Sequence, residues 1–358
     1  MAPTRREILA AGLSAALAPR DARAGAPTPA TATTPAPGPL GLVIHSFPAR
    51  SAGDRFRRPE DRFADPIRFL EYARSLGAGG VQVGIGARDD RYADDLRARA
   101  GAASMGLEGI ITPPRDEGDL PRFEAEIRTA RRAGAAIVRT ALLAGRRYET
   151  FDSMAGFRDF AARSARSLAL AAPVVVRHDV RLAVENHKDF RADELLALLD
   201  RLGCDHVGVC LDLGNGLALL EDPAEVVEAL APRAISTHIK DMAIEEYERG
   251  FRIAEVPLGA GVIDLPGAVR ALRAARPEIR LNLEMITRDP LDVPCLGDRY
   301  WATFPDLPGR HLARALAFAR SHPRGRPPAR VGHLTPEERL RVEDENIRRC
   351  LAHARDHL

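Results

Sequence analysis

Leu182-Ala183-Val184-Glu185-Asn186-His187-Lys188-Asp189 opens on three aliphatic residues and then breaks into charge. An aliphatic run without polar alternation reads as a strand buried on both faces. The same construction recurs at Leu42-Val43-Ile44, Val81-Gln82-Val83, Gly109-Ile110-Ile111, Ala136-Ile137-Val138, Val207-Gly208-Val209, Ala234-Ile235-Ser236 and Leu281-Asn282-Leu283. Glycine, proline or charge bounds each run. Helical periodicity lies between them: Ile67, Leu70 and Ala73 share one face, as do Leu195, Leu198, Leu199 and Leu202, and Leu265, Val269 and Leu272. Asp264 before Leu265-Pro266 has the chemistry of an N-cap followed by a first-turn proline. Eight strand–helix units in series predict an α/β fold, a closed parallel (β/α)8 TIM barrel. A doubly wound sheet would need no eighth strand and would carry a glycine-rich nucleotide turn; Gly84-Ile85-Gly86 lacks the third glycine.

The rest of the chain is read around that barrel. The 358 residues are 45% hydrophobic and 28% charged, which excludes a disordered chain. Fifty-two basic residues balance 50 acidic ones, so no electrostatic footprint favours nucleic acid or an anionic membrane. Thr4-Arg5-Arg6-Glu7-Ile8-Leu9, the apolar run from Ile8 to Ala18 and the small residues around Ala24 read as a twin-arginine signal over residues 1–26. The expected location is therefore periplasmic, with no stable membrane insertion after cleavage. Residues 27–39 read as a Pro/Thr/Ala linker, 40–290 as the barrel, and 291–358 as a C-terminal helical extension that includes the last barrel helix. His311–Phe318 is expected to be that helix. Thr335-Pro336-Glu337-Glu338 starts a further capped helix that packs on the barrel or on a second subunit of a homo-oligomer. Cys204, Cys210, Cys295 and Cys350 show no CxxC spacing.

In such a barrel, chemistry occupies the C-terminal ends of the strands, and inward residues alternate. With Ala183 inward, Glu185 and His187 follow it. The next strands end in Asp212, in His238 and Lys240, and in Glu284. Each acid alone reads as a helix cap, and the histidine alone as a satisfied core residue. Together, four polar groups facing one mouth would be costly to bury without a shared partner. A divalent ion held by Glu185, Asp212, His238 and Glu284 is that partner. Oxygen donors with one imidazole suit Mn²⁺, Mg²⁺ or Co²⁺, and suit Zn²⁺ less well. His187, Asn215, Lys240, His45, Gln82, Glu108 and Arg139 are candidate substrate contacts, with Arg139 and Lys240 alternatively paired to strand-end carboxylates. Trp301, the single tryptophan, either stacks on a sugar or anchors the tail.

The motifs Leu-Ala-Val-Glu185-Asn-His, Cys-Leu-Asp212-Leu-Gly-Asn, His238-Ile-Lys-Asp and the strand-end Glu284 resemble the xylose-isomerase-like TIM-barrel sugar isomerase/epimerase superfamily over roughly residues 40–290. Pro257-Leu-Gly-Ala-Gly-Val-Ile-Asp264 resembles its loop after strand seven. In ligand order the D-tagatose 3-epimerase branch is nearest. The resemblance implies a metal on those four residues, with Glu185 and Glu284 as the catalytic pair acting on opposite substrate faces. Asn215 stands where that branch commonly has a histidine, and His187 is an unusual neighbour. The related endonuclease IV family has an Asp-x-x-His element that Asp212-Leu-Gly-Asn215 replaces, so no nucleic-acid partner is expected. The expected activity is metal-dependent sugar isomerisation or epimerisation through proton abstraction beside a carbonyl and a stabilised enediolate. Alternatives are a metal-dependent lyase or dehydratase on a keto-sugar, keto-glycoside or inosose, and a non-catalytic carbohydrate-binding barrel.

Overall fold

The computed structural model describes residues 40–321 and 329–358. The expected signal segment and linker lie outside the described residues. The strands are β1 (Leu40–Val43), β2 (Gly80–Val83), β3 (Gly106–Ile110), β4 (Ile137–Thr140), β5 (Arg181–Glu185), β6 (Val207–Asp212), β7 (Ala234–His238), β8 (Asp241–Tyr247), β9 (Gly250–Val256), β10 (Leu281–Leu283) and β11 (Leu291–Val293). The helices are α1 (Pro48–Ser51), α2 (Pro66–Ser75), α3 (Asp90–Ala102), α4 (Leu120–Arg132), α5 (Arg147–Thr150), α6 (Met154–Arg177), α7 (Ala192–Leu202), α8 (Pro223–Leu230), α9 (Leu265–Ala275), α10 (Asp298–Trp301), α11 (Arg310–Ser321) and α12 (Pro336–His357).

The eight strands read from the sequence are all present. They form one parallel sheet in the order β10-β1-β2-β3-β4-β5-β6-β7. The barrel closes just beyond β7, where Ile239 N–H donates to Asn282 O at 2.7 Å and Glu284 N–H donates to Ile239 O at 3.0 Å. Strands this short satisfy their backbone only by being paired on both sides, so closure removes the edges that an open sheet would expose. The expected caps form as well. Asp264 accepts from Gly267 N–H at 2.9 Å, and Thr335 and Glu338 exchange the two bonds of a capping box at the start of α12.

Two features differ from the sequence reading. Asp241–Tyr247 and Gly250–Val256 form an antiparallel hairpin, joined by β11 into a separate three-stranded sheet. Asp241 ties its base to the following loop by accepting from the backbone N–H groups of Met242, Gly259, Gly261 and Ile263. Second, the eighth outer helix is α12 rather than the His311–Phe318 segment. Helix α12 lies between α9, through Arg273 to the Leu358 carbonyl, and the β1-side helices, where Arg50 and Tyr72 both reach Asp344. Helix α11 packs instead on the hairpin, with Arg320 paired to Glu246. Periodicity identified both helices, but only packing decides which one completes the ring.

Among the described residues the four cysteines are free, and no helix is long and apolar enough to cross a membrane.

Candidate metal centre

Strand register builds the site in tiers. Glu185 pairs with Cys210, and Cys210 with Ser236, so these side chains share one inward level. Between Val209 and Cys210 the β6–β7 register slips by one residue. Without that slip Asp212 would lie beside Thr237; with it, Asp212 lies beside His238. Parallel pairing puts neighbouring residues on the same face, so this irregularity places an acid and an imidazole side by side. Asn186 fastens the neighbouring strand end. Its amide accepts from Asp212 N–H at 2.7 Å and donates to Asp212 O at 3.0 Å.

Glu185, Asp212, His238 and Glu284 converge so that one ligand atom of each lies within 4.8 Å of all the others, and all four residues are buried. His238 Nδ1 stands 3.4 Å from Glu185 Oε2, 3.6 Å from Asp212 Oδ2 and 3.4 Å from Glu284 Oε1. It makes no hydrogen bond. The opposite nitrogen, Nε2, lies 2.8 Å from Gln82 Oε1. Gln82 is fully buried and sits beneath His238 rather than at the mouth. Its Nε2 donates to Glu108 Oε2 at 3.0 Å, and Ser236 and Asn282 donate to the same oxygen. Glu108 Oε2 already serves as the acceptor for Ser236 and Asn282, so Gln82 turns its NH₂ to Glu108 and its oxygen to His238. That puts an imidazole proton on Nε2 and turns Nδ1 to the three carboxylates. Burial lowers the ring's pKa, but Cys210 and the carboxylates outweigh it and hold the metal-free ring well above its usual value, so a bound cation would take the place of the Nδ1 proton. An orphaned imidazole nitrogen facing three carboxylates, with its tautomer set from behind, is a donor set that fits a divalent cation.

Cations brace the acids. Arg139 donates to Glu185 Oε2 through Nε and Nη2, and Asn215 Nδ2 donates to Oε1 at 3.0 Å. Lys240 Nζ lies 2.7 Å from Asp212 Oδ2 and 2.5 Å from Glu284 Oε2. Gly214 makes room for that lysine, since a Cβ there would meet Met242 Cγ at 2.6 Å and Lys240 Cδ at 3.1 Å. The other Asp212 oxygen accepts from the Gly214 and Asn215 backbone at 2.9 Å each. Burial pushes Glu185 and Glu284 up, but Arg139 on one and Lys240 on the other, each helped by His238, outweigh it and hold both well below the usual carboxylate range. Both glutamates are therefore ionised and only weakly basic.

Of the candidate substrate contacts, His45 lies at the rim, its side chain 42% exposed and Nδ1 3.5 Å from Glu284 Oε1. Asn215, Arg139 and Lys240 touch the cluster directly. His187 has a buried Nδ1 without a partner. Burial first, and Lys188 second, push its pKa down to about 3, so its ring is neutral. Trp301 is not brought to the cluster. Its Nε1 donates to Cys295 O at 2.9 Å and its ring meets Tyr300 edge-on, which anchors the tail. Sequence reasoning missed Asn186, Lys188 and Arg288. Lys188 Nζ donates to Asn215 Oδ1 at 2.5 Å, and Arg288 binds hairpin residue Glu255. Lys188 follows the strand-five motif and was open to view; Glu255 and Arg288 meet only because the hairpin folds back.

Comparison with known proteins agrees with this architecture. The sequence profile of the xylose isomerase-like TIM barrel family matches residues 70–321. The chain is 33% identical over 103 residues to 3-oxo-isoapionate decarboxylase of Pectobacterium atrosepticum, a stretch that is 28% of this chain and 38% of that protein. The match thus spans well under half of that relative's length. A xylose isomerase-like TIM barrel protein from Mycobacterium smegmatis, solved in complex with magnesium, superposes with a TM-score of 0.52 at 20% identity, covering 78% of this chain and 98% of that one. The 3-keto-D-glucoside 4-epimerase of E. coli superposes with a TM-score of 0.51 at 13% identity, covering 80% and 100%. At these identities the superpositions establish the fold. With the profile spanning most of the barrel and the eight-stranded closure behind it, the chain belongs to the xylose isomerase-like TIM barrel family.

Proposed function

We propose that this protein is a divalent-metal-dependent enzyme that enolises a small polyhydroxylated carbonyl compound, with isomerisation or epimerisation of a sugar as the outcome. The observation that carries this reading is His238 Nδ1, unbonded and facing three carboxylates while Gln82 holds the opposite nitrogen. A divalent cation on Glu185, Asp212, His238 and Glu284 would supply Lewis-acid polarisation of the substrate carbonyl and a counter-charge for the developing oxyanion. Mn²⁺, Mg²⁺ or Co²⁺ suits three carboxylates and one imidazole. The chain's own groups handle the proton. Glu185 and Glu284, kept ionised by Arg139 and Lys240, are the acceptors available at the cluster. Lys240 adds a positive charge beside Glu284, and His45 at the rim is placed to orient a hydroxyl.

A second reading, a lyase that removes carbon dioxide from a keto-sugar acid, is favoured by the decarboxylase relative and by the cationic partner on each glutamate. Loss of carbon dioxide leaves an enolate without needing a base. One experiment separates the readings. Mn²⁺-loaded protein is incubated in D₂O with ketoses, aldoses, 3-keto-glycosides and β-keto sugar acids, and the mixtures are followed by NMR. Deuterium entering a carbon beside a carbonyl, with a rearranged sugar as product, supports the first reading. Release of bicarbonate from a keto acid supports the second. A metal-loaded protein that does neither with any compound counts against both.

A further inference from the structure

Around the cluster stand four cations: Arg139, Lys188, Lys240 and Arg288. Three are matched, Arg139 to Glu185, Lys240 to Asp212 and Glu284, and Arg288 to Glu255. Lys188 is different. It is 4% exposed, and among the described residues its ammonium has only a neutral acceptor, the Asn215 amide oxygen at 2.5 Å. The same amide donates to the metal-ligand candidate Glu185 at 3.0 Å, so Lys188 Nζ lies one amide away from the cluster. Burying an ammonium without a carboxylate is expensive, and the cost falls when an anion completes the pair. The surroundings add to it: burial first, then Lys240 and Arg288, push the lysine's pKa down to about 8.

We infer that Lys188 is the docking point for a carboxylate on the substrate, so that the site selects a sugar acid over the corresponding neutral polyol or sugar. The inference rests on the reading of the barrel mouth as a metal-dependent carbohydrate site and narrows its substrate class. An ammonium offers a point charge and rotating donors, which suits a terminal carboxylate of variable approach. Asn215 then holds Glu185 on one side and the bound lysine on the other.

The test uses a matched pair of probes, L-threonate and L-threitol, titrated calorimetrically into the full-length Mn²⁺-loaded protein. Wild type should bind threonate at least about tenfold more tightly than threitol, the scale of one charge-assisted hydrogen bond. Lys188→Met should abolish that preference and Lys188→Arg should retain most of it, with Mn²⁺ affinity unchanged in both. Equal binding of the two probes by wild type overturns the inference without any variant. A preference that survives Lys188→Met also overturns it, because the metal alone is then reading the carboxylate. A wild-type protein that binds no Mn²⁺ refutes the metal-site reading itself, and this inference with it.

Discussion

Replacing Gln82 by methionine should weaken metal binding without touching any ligand. Gln82 Oε1 accepts from His238 Nε2 at 2.8 Å inside the barrel, and its amide nitrogen donates to Glu108 and Ser236 at 3.0 and 3.2 Å. Methionine matches the volume but accepts almost nothing, so the Nε2–H loses its partner. The loss is unequal between states. Without metal, the imidazole can carry its proton on Nδ1, where three carboxylates lie within 3.4–3.6 Å. With metal, Nδ1 must be bare, so the proton sits on an orphaned, buried Nε2. A buried unsatisfied donor costs about 1–3 kcal/mol, which at about 1.4 kcal/mol per decade is roughly a 5- to 150-fold loss of affinity. The assay is calorimetric titration of Mn²⁺ into the metal-free wild type and Gln82→Met, with the Tm of each metal-free protein as the folding control. Equal Mn²⁺ affinities in two equally folded proteins would refute the argument that Gln82 sets the tautomer.

Glu284→Gln removes a paired carboxylate but keeps its shape, so turnover should fall below detection while the circular dichroism spectrum stays unchanged; an active variant would rule out a two-glutamate mechanism. His238→Ala should lower metal content measured by mass spectrometry, and unaltered occupancy would take His238 out of the ligand set. Glu343, which accepts from Ala49 and Arg50 N–H, is pushed up to about 7 mainly by burial. Its folded pKa exceeds the unfolded value near 4.3, so the native state binds the proton more tightly and this contribution to stability declines as pH rises between those values. Glu343→Gln should therefore show a flatter urea-unfolding profile than wild type between about pH 4.5 and 7; parallel profiles would contradict it. Finally, Arg5→Lys with Arg6→Lys should leave precursor in the cytoplasm of the producing cell, and normal export would remove the twin-arginine assignment.

Much of this was legible in the residues because it depends on local pattern. The eight runs are strands since they are short, mostly aliphatic and bounded by glycine, proline or charge, and Asp264 and Thr335 cap helices since their side chains reach only nearby backbone. Alternation from Ala183 to Glu185 put the acid at the barrel mouth. The hairpin escaped notice although large apolar residues recur at every second position, Met242 and Ile244 on one strand and Phe251 and Ile253 on the other, because its strands are only half buried and follow directly on β7.

What the sequence by itself determined was the number of barrel strands, the barrel they close into and the four residues able to meet at its mouth, since these follow from periodicity and from which residue ends each strand. Only the tertiary structure decided that Gln82 lies under His238 instead of facing substrate, that α12 rather than α11 completes the ring, and that Lys188 is buried beside Asn215 without a carboxylate. Each of these depends on distances between residues far apart in the chain, and on a one-residue slip between β6 and β7 that no local pattern encodes.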